Sequence, residues 1–321
     1  MIITDHLYGK IVVDNPVITA LLRSQPLTRL KKIAQFGVPD EFYHHKNYSR
    51  YEHSIGVFLL LKKLGASDEE QMAGLIHDVS HTAFSHVVDW LLDSGAVENY
   101  QDIHHDEFIR NSEISTILER YGVNAKQIAK LHNFTLLDRD LPNLCADRID
   151  YALREFPPAI TQTCIAGLTV KHNKIVYQDA KAAYLFAHHF LLLQQHHWGD
   201  YEAVVRYFLF SRVLRRALRL TIIQFDDFMK EDDFIVKKLT ASNDPYIQDK
   251  LALLRKKSLR NLAKGTKVMH KKFRYVDPEI VSGSQLVRLN IVHPLFRKEL
   301  EQTRQENEKG IVLPLLSDET L

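Results

Sequence analysis

Ala73-Gly-Leu-Ile-His-Asp-Val-Ser-His-Thr-Ala-Phe-Ser-His86 governs the reading of this chain. Just upstream, Ser67-Asp-Glu-Glu70 has the Ser-x-x-Glu form of a capping box, so a helix starts there and runs through Ala73, Leu75 and Ile76. It ends in His77-Asp78. Where that helix meets a turn, His77, Asp78, His81 and His86 concentrate three imidazoles and a carboxylate.

Outward from this turn the pattern stays helical. Periodicity from Tyr51 through Leu64 predicts a helix closed by Gly65, entered from a polar, aromatic loop that ends in Asn47-Tyr-Ser-Arg50. Pro16 to Phe36 spaces Ile18, Leu21, Leu22, Leu27, Leu30, Ile33 and Ala34 three and four apart, predicting a helix broken once at Pro26. Ile2 to Val13, β-branched around Tyr8-Gly9-Lys10, reads as a short strand or hairpin. Downstream, Val87–Leu92, Asp106–Tyr121, Ala125–Leu131 and Leu144–Phe156 read as helices, with Pro157-Pro158 closing the last. Leu168 to Tyr177 has two β-rich runs around His172-Asn173, the mark of a hairpin. Ala180 to Phe225 returns to a long helical pattern, and from Asp226 the tail is more polar, with Phe273–Val276 and Leu286–Val292 as expected strands. The fold is therefore expected to be mainly α: a helical core over residues 1–225 with small β-hairpin accessories, and an α+β extension over 226–321.

Composition narrows the class. Apolar residues at 45% and charged residues at 26% are ordinary globular values, which excludes disorder and collagen-like repeats. With 42 basic against 40 acidic residues, the net charge of +2 names no polyanion partner. The two cysteines, Cys145 and Cys164, cannot form a disulfide framework and fit a reducing, cytoplasmic compartment. No window reaches the length of a bilayer span, and Met1 to Lys10 lacks the form of a secretory signal, so no membrane partner is expected. Leu251 to Arg274 holds nine lysines and arginines with no acid, which is either a solvated helix face or a nucleic-acid surface.

Three helices can carry ligands to one point. His53, His77, Asp78 and Asp147 offer two neutral nitrogens and two anionic oxygens, which balance a divalent cation and leave two of six octahedral positions open. Such a site is catalytic in form, and Asp150 competes with Asp147 for the last place.

This spaced H…HD…D set resembles the HD-domain phosphohydrolases. Asp5-His-Leu-Tyr-Gly-Lys-Ile11, Leu27-Thr-Arg-Leu-Lys-Lys-Ile-Ala-Gln-Phe-Gly37, Ser49-Arg-Tyr-Glu-His-Ser-Ile-Gly56, His77 to His86 and Asp147-Arg-Ile-Asp-Tyr151 resemble the deoxynucleoside triphosphate triphosphohydrolase branch in order and spacing. The resemblance implies one divalent ion, with Mg, Mn, Fe, Co and Zn all eligible, on His53, His77, Asp78 and Asp147, and it favours Asp147 over Asp150. It implies acid–base roles for His81, His86 and His105, with Asp89 and Asp106 as carboxylate partners, although relatives more often carry glutamate at the position of Asp106. It further implies a phosphate clamp at Arg50, contacts from Arg148 and Tyr151 to distal phosphates and sugar, and Gln35 at the sugar edge. Relatives commonly form homo-oligomers. Two departures bear on substrate and regulation. The Tyr-x-His pattern that helps relatives exclude a 2′-hydroxyl has no match in Leu193–Trp198, and Arg23-Ser-Gln-Pro-Leu-Thr28 replaces the aspartate and glutamine of nucleotide-activated relatives. The expected reaction is hydrolysis of deoxynucleoside triphosphates to deoxynucleoside and triphosphate without an activating nucleotide. The alternatives are a nucleotide phosphomonoesterase or phosphodiesterase, or a nucleic-acid-binding protein using residues 251–274.

Overall fold

Ser49 starts the helix on which the rest of the protein is assembled. Its hydroxyl accepts from the Glu52 amide while the Glu52 carboxylate accepts from the Ser49 amide, a complete capping box, and the Arg50–Lys63 helix that follows is buried along nearly its whole length. In the computed structural model, which describes residues 1–95 and 98–315, this central helix packs against Asp68–Ile76 on one side and Ala146–Leu153 on another. Ser67 caps the Asp68–Ile76 helix as expected, but only half of the predicted box forms. The Glu70 carboxylate turns away to accept from the amides of Leu136 and Leu137, and Ala146 donates to the Leu136 carbonyl. Glu70 thereby ties the second helix to the loop that launches the third.

The turn after His77 is held under backbone strain. Phe84 and Ser85 sit at φ of 63° and 48°, a region that non-glycine residues seldom occupy. Buried Asp232 accepts from the amides of Phe84 at 2.9 Å and Ala34 at 2.8 Å, and Arg29 donates to the carbonyls of Val79 and His81. A residue from the C-terminal third of the chain thus fastens the histidine-rich turn to the N-terminal helices.

Several elements differ from the sequence expectation. Between Pro16 and Phe36 the helices are Pro16–Leu21 and Gln25–Arg29, continued by a 3-10 turn to Lys32. Pro26 lies in the first turn of the second helix, where its missing N–H costs nothing. The expected helix Asp106–Tyr121 is two, Tyr100–Asn111 and Glu113–Arg120, because Ser112 leaves helical geometry to cap the second. Ala180–Leu193 and Tyr201–Arg219 are separated by a π turn at Gln194–Trp198. Phe273–Val276 is not a strand, and Leu286–Val292 divides into the end of a strand, Gln285–Arg288, and a short helix, Leu289–Val292.

Both predicted hairpins form, Ile2–Asp5 with Gly9–Val12 and Leu168–Lys171 with Lys174–Tyr177, the latter turning through left-handed His172 and Asn173. The second hairpin joins Glu279–Ser282 and Gln285–Arg288 in one four-stranded sheet, through a parallel contact of Tyr177 with Ile280. The 226–321 segment thus shares both a sheet and the apolar core with the helices of residues 1–225.

Candidate metal centre

Each of three helices brings one candidate ligand at an end. His53 lies in the first turn of Arg50–Lys63, His77 caps the C-terminus of Asp68–Ile76, and Asp147 sits in the first turn of Ala146–Leu153. His53 Nε2 is 2.9 Å from Asp147 Oδ1 and 3.3 Å from His77 Nε2, and His77 Nε2 is 3.7 Å from Asp147 Oδ1. The far side of each ring fixes its tautomer. His77 Nδ1 is 2.8 Å from the Gly74 carbonyl, which can only accept, and His53 Nδ1 is 2.8 Å from Asp150 Oδ2. Both Nδ1 atoms therefore donate, and two imidazole lone pairs and a carboxylate oxygen face one another. Three acceptors at this separation repel unless a cation lies among them, so the donor set fits a divalent ion. In the absence of an ion a proton takes that place: burial opposes it, yet hydrogen bonds to Asp147 and Asp150 lift the His53 imidazolium to about 9.

Asp78 lies beside these three, against His77. Its Oδ1 is 3.4 Å from His77 Nε2 and 3.3 Å from His81 Nε2, and its Oδ2 accepts from Arg50 Nη1 at 2.7 Å. Burial would favour the neutral acid, but Arg50, then His77 and His81, hold Asp78 well below the usual carboxylate range. Arg50 is itself buried, with Nε on Ser85 Oγ at 2.6 Å, so the strained turn positions the arginine that positions Asp78.

Asp150 is the anchor beneath. It holds His53 Nδ1, accepts from Arg154 Nε at 2.7 Å and receives the Tyr8 hydroxyl at 2.9 Å, while Arg154 Nη2 also reaches Asp5 at 3.0 Å. The N-terminal hairpin is therefore joined to the ligand shell from below. Gly56, one turn after His53, leaves room for this: a Cβ there would lie 2.0 Å from Asp150 Oδ1.

The centre opens into a cleft of about 530 Å³ whose lining includes Gln35, Arg50, His77, Asp78, His81, His86, Asp147, Arg148 and Tyr151. Burial and then Arg50 keep His81 well below the ordinary imidazole value, so it is a neutral ring. His86 is only partly buried, with Nδ1 on Asp89 Oδ2 at 3.2 Å, and Asp89 is in turn fixed by the Tyr100 amide at 2.9 Å. Arg148 spends Nη1 on the carbonyls of Arg139 and Asn143 and faces the cleft beside Tyr151.

Two expected residues stand elsewhere. His105 does not line the cleft; its Nδ1 pairs with Ser80 Oγ at 2.9 Å, and burial, with His77 nearby, lowers it to about 4. Asp106 is not its partner, since it projects to the surface and pairs with Arg110 at 3.0 Å. Successive helix residues point about 100° apart, so an inward His105 sends its neighbour out.

The basic stretch is the largest addition to the sequence reading. Lys271, Lys272 and Arg274 line the cleft, and Arg274 pairs with buried Glu98. Burial, aided by Arg274 and opposed by Glu98, lowers Lys271 to about 8, still mostly protonated at neutral pH. These three cations face the cleft, while Arg255, Lys256, Lys257, Arg260, Lys264 and Lys267 remain exposed. Composition showed a charge run, but no local pattern reveals that an extended segment folds over the helices of residues 50–155.

The HD domain family matches residues 50–155, the span from Arg50 to Glu155. The chain is 34% identical to the uncharacterized Bacillus subtilis protein YdhJ over 98% of this chain and 99% of that one. It is 37% identical to the metal-dependent phosphohydrolase cns2 of Cordyceps militaris, covering 48% of this chain and 45% of cns2. Human deoxynucleoside triphosphate triphosphohydrolase SAMHD1 is 26% identical over 38% of this chain and 23% of its own length. The chain thus spans less than half of either named hydrolase. Among solved structures, a hypothetical protein from Aquifex aeolicus superposes with a TM-score of 0.64 at 16% identity, over 95% of this chain and 99% of that one, which is a likeness of fold.

Proposed function

The chain belongs to the HD-domain family of metal-dependent phosphohydrolases, and from that premise we propose that it hydrolyses deoxynucleoside triphosphates to deoxynucleoside and triphosphate. The observation that carries this reading is the convergence of His53, His77 and Asp147 at the floor of a cleft whose walls present Arg50, Arg148, Lys271 and Arg274. A polyphosphate needs cations spread along a wall, and phosphoryl transfer depends mainly on positioning and electrostatics. Similarity to SAMHD1 supports the choice of substrate class.

Held by His53, His77, Asp78 and Asp147, a divalent ion would supply Lewis acidity and a water of lowered pKa. Arg50 keeps Asp78 oriented through one guanidinium nitrogen and has donors left for a phosphoryl oxygen. His86, tethered through Nδ1 to Asp89, presents Nε2 as the group that carries a proton to the leaving oxygen. Buried His81 stays neutral and holds Asp78 from the other side. Lys271, Arg274 and Arg148 bind the distal phosphates, with Tyr151 and Gln35 toward the sugar.

The test is hydrolysis of the four dNTPs, the four NTPs, nucleoside monophosphates and a phosphodiester, each with Mg²⁺, Mn²⁺, Fe²⁺, Co²⁺ or Zn²⁺, products read by mass. Triphosphate released from dNTPs supports the proposal, and inorganic phosphate from monophosphates replaces it with a monoesterase. Turnover is expected without a second nucleotide, because the Arg23–Thr28 stretch lacks the activator-binding residues of regulated relatives. A lag relieved by a non-hydrolysed nucleotide would reveal an activator site.

A further inference from the structure

A second group of histidines lies behind the cleft residues Tyr43, Glu155 and Trp198. The loop before Ser49 brings His44 and His45, and the π turn brings His197, to ring-centroid separations of 4.4 Å for His44–His45, 4.3 Å for His45–His197 and 5.6 Å for His44–His197. One ring nitrogen of each lies within 4.8 Å of the others.

Two features set this trio apart from ordinary ring packing. Both ring nitrogens of His44 are shut off from solvent and have no hydrogen-bond partner, leaving a donor and a lone pair uncompensated. His197, in contrast, is fully oriented. Its Nδ1 lies 2.5 Å from Glu155 Oε2, and the other oxygen of that carboxylate accepts from Trp198 Nε1 at 2.8 Å. A carboxylate only accepts, so the proton sits on Nδ1 and the lone pair on Nε2, which takes the Tyr43 hydroxyl at 3.1 Å. An imidazole whose far nitrogen is anchored on a carboxylate is the form in which histidine ligates metals.

We propose that His44, His45 and His197 form a second metal site, separate from the centre at His53 and His77. Three imidazoles select a late first-row divalent ion such as Zn²⁺, Co²⁺ or Ni²⁺ over Mg²⁺ or Ca²⁺, which prefer oxygen. The ion takes the His197 lone pair now given to Tyr43 and gives His44 the partner it lacks. It thereby pins the loop that carries Tyr43 and Tyr48, both lining the cleft, to the π turn that carries Trp198.

Titration of the metal-free full-length protein with Co²⁺ tests this, combining bound metal after dialysis with the visible absorption of the ion. Wild type is expected to bind two ions per chain, one with the intense bands of low-coordinate Co²⁺. His45 is exposed, so His45→Ala leaves the core intact; it should weaken the second ion at least about tenfold, and His44→Ala with His45→Ala should remove it. His77→Ala should keep those bands while losing the other ion. Thermal melts of each variant show that the fold persists. A single ion in wild type, or two in folded His44→Ala with His45→Ala, overturns the proposal.

Discussion

The two walls of the cleft are built differently. The floor and one wall come from a contiguous span, residues 50–155, in which three packed helices deliver His53, His77 and Asp147, with the Nδ1 atoms of the two histidines engaged by Asp150 and Gly74. The facing wall gathers Tyr43 and Tyr48 from an N-terminal loop, Trp198 from a π turn and Lys271, Lys272 and Arg274 from an extended C-terminal segment. The first wall is held by helix packing; the second is held by a few ion pairs and rings, such as Arg274 with Glu98. That division fits chemistry on one side, where ligand geometry has to be exact to tenths of an ångström, and substrate binding on the other, where a moderate change alters affinity.

If the division is right, the largest effect belongs to the floor. Asp147→Ala or His77→Ala should lower kcat at least about a thousandfold and reduce metal content by one ion, because several kcal/mol of charge stabilisation leave with it. Wild-type turnover in either variant, measured with saturating metal, would break the comparison at its base.

Asp150→Asn probes the anchor through stability. Burial works against the charged carboxylate, but Arg154, then His53, outweigh it and hold Asp150 below its usual range. A depressed carboxylate contributes stability that is fully present above its unfolded value of about 3.9 and is lost as pH falls through the folded value. At pH 7 the variant should be less stable by about 3 kcal/mol, since Arg154 loses a buried partner. That deficit should shrink below about pH 4, read from denaturant melts at both pH values. A deficit independent of pH would assign the effect to packing.

Arg50 stands between the walls. Arg50→Ala should cost about ten- to a hundredfold in kcat/KM on every accepted nucleotide, and Arg50→Lys should recover part of it, because the charge returns without the fork that spans Asp78 and Ser85. A defect confined to one base would move Arg50 to base recognition.

On the facing wall, Lys271→Ala should raise KM about tenfold with kcat nearly unchanged and metal content intact. A fall in kcat at constant KM would make this wall part of the chemistry and erase the distinction. The smallest effect is expected from Asp106→Ala, whose carboxylate meets Arg110 at the surface; kinetics within about twofold of wild type are expected from a surface pair worth under about 1 kcal/mol.

By itself the sequence determined the helical class, the two hairpins and the four positions that could ligate an ion, because apolar spacing and capping are local signals and the histidines and aspartates lie at helix ends defined by them. It favoured Asp147 over Asp150 as a ligand only through resemblance. The tertiary structure alone decided that Asp150, Arg154, Tyr8 and Asp5 form the support beneath His53, and that Glu70 leaves its capping box to hold a loop 66 residues away. It alone turned Asp106 outward, brought Asp232 to the strained turn at Phe84 and folded Lys271 and Arg274 into the cleft. The reason is the range of the interactions. Periodicity and caps act over one or two turns, whereas a buried carboxylate takes whichever donors the packed chain brings to it, and no local pattern encodes which those are.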